Sequence, residues 1–248
     1  MPGFARSACL VPLAVLLVAC ADSAPRADAE HRVAVSVDGT TLTYRGPLHQ
    51  EGVARLLDAA EGAADRPRTL VITSTGGDIE AGMQLGNWVF ERGLDVHVPE
   101  YCISSCANYV FTAGRRKVLG PAALLIWHGG ATQQNLASGS PCRYLDAPGV
   151  PCDEQKLREV LEATLARVQR LEADFFERIG VTQLITVLGQ WPQYDCSATL
   201  GADAYDYIGW YYSIPDLAKL GVDDVSVVGG DWKPASPAPH VKFCRVVL

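Results

Sequence analysis

Two serines, Ser104 and Ser105, lie between Cys102 and Cys106 in the stretch CISSCANYVFTAG. A serine hydroxyl becomes a competent nucleophile only when a base removes its proton and hydrogen-bond donors hold the oxyanion it creates. The neighbouring sequence offers the parts. Gly76-Gly77 follows an apolar run, and glycines let another backbone approach closely. The serines open a small-residue stretch that can form a helix, whose first N–H groups are free to donate. His128 directly follows the apolar run ALLIW. The cysteines are the competing chemistry. A redox pair is usually Cys-x-x-Cys, whereas here three residues intervene. A metal site needs further ligands, and only His97 and His128 are candidates. Four residues around a helix start suit a disulfide, so the pair is expected to brace the serine turn rather than to react.

The elements that must position these groups read as an alternating α/β pattern. RVAVSV (32–37) and TTLTY (40–44) flank Asp38-Gly39, a hairpin signal. Residues 51–63 carry helical spacing at Val53, Leu56, Leu57 and Ala60. TLVIT (69–73) has the continuous apolar character of a strand covered on both faces. A helix follows, with Ile79, Met83, Gly86 and Phe90 predicted on its buried side and Gly93 at its end. LDVHV (94–98) and ALLIW (123–127) are two more strands, with a buried helix ending at Gly114 between them. This alternation predicts βαβ units and a largely parallel sheet. Ligands in such folds bind beyond the carboxyl ends of the strands, where Gly76-Gly77, the serines and His128 all fall. Residues 153–180 form the longest helical pattern, with Leu157, Leu161, Thr164, Val168, Leu171 and Phe175 on one face. A helix at 182–190, an aromatic region at 205–212, a short helix at 214–220 and strands near 225–228 and 241–247 complete the chain.

ITSTGGDIEAGMQL resembles the Ser-Pro-Gly-Gly segment of the Clp protease proteolytic subunit and its crotonase-like superfamily, with Thr75 where that family usually has proline. SCANYVFTAG is similar to the family's nucleophile helix, LLIWHGG to the strand leading to its histidine, and YYSIPDLAKLGVDDV to a later segment. The three motifs between residues 69 and 131 keep the family's order and approximate spacing. The resemblance implies a single-domain, crotonase-like (ClpP-like) α/β superhelix of repeated β-β-α and βαβ units. It implies Ser105 as nucleophile, with Ser104 one position early, and His128 as general base. The oxyanion donors it implies are the N–H groups of Gly77 and Cys106. The family's acid falls near Asp206 or Asp203; ungapped counting lands on Tyr205, and Asp206 is preferred, with Asp203 or no acid partner as the alternatives. A homo-oligomer is a further possibility the resemblance raises.

Residues 1–20 carry Arg6 and then an apolar run too short to span a bilayer, which is the pattern of a signal peptide. The run ends in Leu17-Val18-Ala19-Cys20, which resembles a bacterial lipobox and predicts lipidation of Cys20. Residues 21–30 read as a tether and 31–248 as one folded domain, since about 215 residues suffice for a single core. Six cysteines then remain: Cys102, Cys106, Cys142, Cys152, Cys196 and Cys244. An even number in an exported chain suggests disulfides. Six cysteines allow fifteen pairings, which the sequence does not decide; proximity favours Cys102 with Cys106 and Cys142 with Cys152, which would leave Cys196 for Cys244. Without Arg6 the chain holds 20 basic and 28 acidic residues and no basic stripe, which argues against nucleic acid as partner.

These readings converge on a lipid-anchored serine hydrolase of the bacterial cell envelope, periplasmic and probing peptide or protein substrates through an acyl-enzyme. It needs no metal and no cofactor. Two alternatives stand beside it. A crotonase-like enzyme would act on acyl thioesters, although coenzyme A is scarce outside the cytoplasm. A non-catalytic envelope lipoprotein would keep the fold for binding or assembly. Trp191, Trp210, Tyr211 and Tyr212 are candidates for a substrate groove, against packing at a core edge.

Overall fold

The computed structural model describes residues 32–133, 142, 152–195 and 207–248. The signal segment, the tether, Cys20, Cys196, Asp203 and Asp206 lie outside the described residues. The hairpin forms as β1 (Ala34–Asp38) and β2 (Thr41–Arg45), paired antiparallel across Asp38-Gly39. Helix α1 (Gln50–Glu61) leads into β3 (Thr69–Thr73), α2 (Ile79–Arg92) and β4 (Asp95–Val98). Strand β5 (Tyr101–Ile103) precedes α3 (Cys106–Phe111), a π-type helix, and β6 (Lys117–Leu119) and β7 (Leu124–Ile126) follow it. The long α4 (Glu154–Ile179), two 3₁₀ turns, β8 (Tyr207–Tyr212), α5 (Ile214–Lys219), β9 (Val225–Val227) and β10 (Lys242–Val246) complete the order.

The main sheet runs β1-β2-β3-β4-β6-β9, and every pairing after the hairpin is parallel. The fold is therefore α/β with a mostly parallel central sheet, as the alternation predicts. One expectation is corrected in detail. ALLIW does not join β4; β7 pairs with β5 in a separate two-stranded sheet, and β6 takes the place beside β4. Strands of three residues, like β5 and β6, are too short to show a period of two. A bridge from Ser74 to Cys102 ties the β5-β7 pair to the large sheet, and one from Trp127 to Trp210 ties it to β8. Strand β8 pairs in parallel with β10.

The core gathers Leu42, Tyr44, Leu70, Ile72, Val96 and Val98 from the sheet with Val53 and Leu56 of α1 and Leu85 and Val89 of α2. Tyr109, Val110 and Phe111 put α3 inside the same cluster, so the small residues of ANYVFTAG form a helix with no solvent face. Helix boundaries follow local chemistry. The Asp78 carboxylate accepts from the Ala81 N–H at the start of α2, and Gly93, at φ 62°, ends it. Asp153 and Gly180 do the same for α4.

Two helical faces differ from expectation. Phe90 is 40% exposed; the buried stripe of α2 is Ala81, Gly82, Met83, Leu85, Gly86 and Val89. On α4 only Val168, Glu172, Phe175 and Phe176 are buried, while Leu161 and Leu171 face solvent. Residues 154–167 are all exposed or half-buried, so the apolar periodicity there meets no core among the described residues.

Candidate active site

The nucleophile turn is held from four sides. Strand β5 delivers Ile103, whose N–H donates to the Ser74 carbonyl at 3.0 Å. Ser104 adopts φ 58°, a left-handed conformation uncommon for a side chain with Cβ, and such strain gathers at functional turns. Its N–H donates to the Ile126 carbonyl at 2.9 Å, and its own carbonyl accepts from the Asn108 N–H at 2.8 Å. The Cys102–Cys106 disulfide closes the turn, with Cα atoms 5.2 Å apart and both residues fully buried. The predicted staple is thus present. Cys142 and Cys152 are also joined, at 5.9 Å between Cα atoms. Cys244 is also disulfide-bonded.

Gly76 and Gly77 lie directly against this turn. A Cβ on Gly76 would stand 2.4 Å from the Ile103 carbonyl oxygen and 2.8 Å from the Ser105 nitrogen. Both glycines have positive φ, 84° and 143°. The Ser105 hydroxyl donates to the Gly77 carbonyl at 2.8 Å, and Ser105 is only 2% exposed. The Gly77 and Cys106 N–H groups have no protein acceptor among the described residues. These are the two amides that the resemblance assigns to an oxyanion.

His128 is brought to the same edge. It lines a cavity of about 510 Å³ with Thr75, Ile103, Tyr207, Ile208 and Gly209. Thr75 and Ile103 are the chain neighbours of Gly76 and Ser104, so the residues that lead into the glycine and serine turns line this cavity with the histidine. The residue is open to solvent on the cavity side. Crowding on its other side costs the charged imidazole hydration and lowers its pKa, partly offset by a hydrogen bond with its own backbone. No hydrogen bond joins Ser105 to His128, and no carboxylate is bonded to the imidazole, among the described residues. Gly209 crosses above it: a Cβ there would stand 2.0 Å from the Trp127 carbonyl oxygen and 3.0 Å from the His128 Cβ.

The His128 segment is fixed by residues that sequence reasoning missed. Gln190 donates to the His128 carbonyl at 3.1 Å, and Asn108 of α3 donates to the Gly129 carbonyl at 2.8 Å. Glu172 accepts the Ala131 N–H at 3.0 Å, and Gln169 donates to the Ala131 carbonyl at 3.0 Å. Glu172 was legible as a lone carboxylate on the buried stripe of α4, between Val168 and Phe175-Phe176. The groove reading of the aromatics is corrected for two of them. Trp210 and Tyr212 are core residues, linked by a 2.9 Å hydrogen bond, and Tyr212 donates to the Ile185 carbonyl. Tyr211 packs edge-on against Trp232 and Phe243, and Trp191 lies beside Tyr194. Tyr207 and Ile208 line the cavity instead.

A scan of family models finds no match, and neither does a comparison with curated sequences. Solved structures do match in part. A ClpP1 variant from Listeria monocytogenes is 18% identical, with a TM-score of 0.35 over 57% of this chain and 77% of that one. An enoyl-CoA hydratase from Thermoplasma volcanium is 13% identical, with a TM-score of 0.29 over 37% of this chain and 49% of that one. A methylmalonyl-CoA decarboxylase is 10% identical, with a TM-score of 0.30 over 37% of this chain and 47% of that one. The chain thus spans about half the length of the hydratase and the decarboxylase it matches. These neighbours are of crotonase and ClpP type, at low identity and partial coverage.

Proposed function

We propose that the chain is a serine hydrolase of the cell envelope, a peptidase by class, with Ser105 as nucleophile and His128 as general base. The observation that carries this reading is the juxtaposition of the parts: Ser105 bonded to Gly77, and Thr75 and Ile103, which lead into the two turns, lining one cavity with His128. In the reaction, Ser105 Oγ turns from the Gly77 carbonyl towards the imidazole and adds to the substrate carbonyl. Its proton passes to His128, and the oxyanion is held by the N–H groups of Gly77 and Cys106. His128 then gives the proton to the leaving amine, and water, deprotonated by His128, releases the acyl group. Asp206 is assigned as the acid behind His128. The cavity wall of Ile103, Tyr207, Ile208 and Gly209 suits an apolar substrate side chain.

Turnover of apolar peptide and ester substrates tests this through its pH dependence. The base must be neutral to work. Because the pKa of His128 is lowered, kcat/KM should rise with pH, reach its plateau by neutrality, and have its midpoint below 6.5, the ordinary value for histidine. Turnover that does not fall as pH drops through the histidine range, or no turnover at any pH, counts against His128 as base.

The envelope address rests on residues 1–20. Cys20, at the end of Leu17-Val18-Ala19-Cys20, is proposed to carry lipid. The protein should partition with membranes, and Cys20→Ser should move it to the soluble fraction; wild-type protein already soluble with an unmodified N-terminus contradicts the anchor.

One observation favours a second reading, a non-catalytic protein that keeps the fold for binding. Ser105 spends its proton on a backbone carbonyl, and no described carboxylate supports His128. Absence of turnover together with an intact Ser105–Gly77 hydrogen bond would select it.

A further inference from the structure

We infer that Glu172, outside the proposed Ser105–His128 pair, is the residue that sets the position of the histidine segment relative to the nucleophile helix; this rests on the catalytic reading above. Glu172 is fully buried, 0% exposed. One carboxylate oxygen accepts the Tyr109 hydroxyl at 2.6 Å and the Ala131 N–H at 3.0 Å; the other accepts Gln183 Nε2 at 2.7 Å. No cation pairs with it among the described residues. A carboxyl group buried without a counter-charge is costly unless every acceptor site is used, so this one is retained by its geometry.

That geometry joins three parts of the site. Tyr109 belongs to α3, four residues after Ser105. Ala131 lies three residues after His128. Glu172 itself is on α4, which also holds Ala131 through Gln169. The fit at Gly130 is close: a Cβ there would stand 2.7 Å from the Glu172 oxygen and 2.6 Å from Thr186 Oγ1. Tyr109 remains a donor to very high pH, because burial and then the neighbouring carboxylate push its pKa well above 10. One side-chain atom therefore touches both the helix that begins at the serine and the loop that begins at the histidine. Displacement of a reacting group by about 1 Å can cost on the order of a hundredfold in rate. Glu172 touches no substrate and acts through Ala131 and Tyr109, as a positioning residue.

The test compares Glu172→Ala, Glu172→Gln and Tyr109→Phe with Val168→Ala, a change one turn away on the same buried face. Two quantities are read well below each melting temperature: the rate of Ser105 modification by a fluorophosphonate, and hydrogen exchange at the Ala131 amide. Glu172→Ala should lose Ala131 protection and slow modification by about tenfold or more. Glu172→Gln keeps an oxygen for Tyr109 and Ala131 and should restore both. Val168→Ala should leave both within about twofold even if its stability falls as far. If Glu172→Ala does not fold, Tyr109→Phe decides, with an expected slowing of at least about threefold. Full Ala131 protection in Glu172→Ala, or equal slowing by Val168→Ala, overturns the inference. A wild-type protein that is never modified overturns the catalytic reading instead; Ala131 exchange then judges the positioning role alone.

Discussion

Ser105→Ala is expected to lower hydrolytic turnover at least about a thousandfold while leaving the fold intact. The change removes one oxygen from a residue that is 2% exposed and ends its 2.8 Å bond to the Gly77 carbonyl. Loss of one such neutral hydrogen bond costs about 1 kcal/mol, a small share of domain stability. Nothing else in the turn depends on the hydroxyl: Ser104, Ile103 and the disulfide are held by other bonds. Activity and melting temperature should therefore separate widely, as read by substrate turnover beside calorimetry. Ser104→Ala provides the contrast, since Ser104 supplies backbone geometry and no side-chain contact to the mechanism. A Ser105→Ala protein retaining more than about a tenth of wild-type turnover would remove Ser105 from the reaction.

The second large effect belongs to Gly77→Ala. At φ 143° an L-residue is strained, and its Cβ would stand 2.3 Å from the Leu48 carbonyl oxygen. The Leu48 carbonyl cannot withdraw without losing its bond from the N–H of Asp78, the N-cap of α2, at 2.9 Å. The substitution should cost on the order of 2–4 kcal/mol and displace the N–H proposed to hold the oxyanion. Turnover should then fall by about a hundredfold or more at temperatures where the variant remains folded. Gly93→Ala is the control. It also has positive φ, 62°, but meets nothing within 4 Å and lies at the end of α2 away from the site. It should cost about 1 kcal/mol and leave turnover unchanged. Gly77→Ala that is folded, destabilised and fully active would show that this amide does not serve the oxyanion.

Much of the fold could be read from local chemistry. The apolar run at 69–73 matches β3 residue for residue, and Asp38-Gly39 marks the hairpin. Asp78, Gly93, Asp153 and Gly180 delimit two helices because their caps need only neighbouring backbone. What escaped depends on distant partners. Strands β5 and β6 exist because Ser74 and Val96 offer them ladders, not because three residues declare a strand. Trp210 and Tyr212 look like groove residues in isolation, but β8 runs beside Trp127 and turns them inward. Phe90 satisfies helical spacing yet lies off the stripe that the sheet covers.

The site shows the same division. Residue type and order were enough to single out Gly76-Gly77, the serine pair and His128, each of which follows a strand, although the strand before the serines is β5 and not the run at 94–98. The family resemblance chose Ser105 over Ser104. It could not indicate that the Ser105 hydroxyl rests on the Gly77 carbonyl, nor that Asn108, Gln190 and Glu172 pin the residues beyond His128. Those bonds span between 21 and 62 positions in sequence and leave no periodic trace.

Peptide mapping by mass spectrometry after treatment of the folded protein with a fluorophosphonate tests the central claim most directly. One phosphonyl group per chain, located on Ser105 and absent after prior unfolding or in His128→Ala, is the predicted result; an adduct on Ser104, or none on folded wild-type protein, would contradict it.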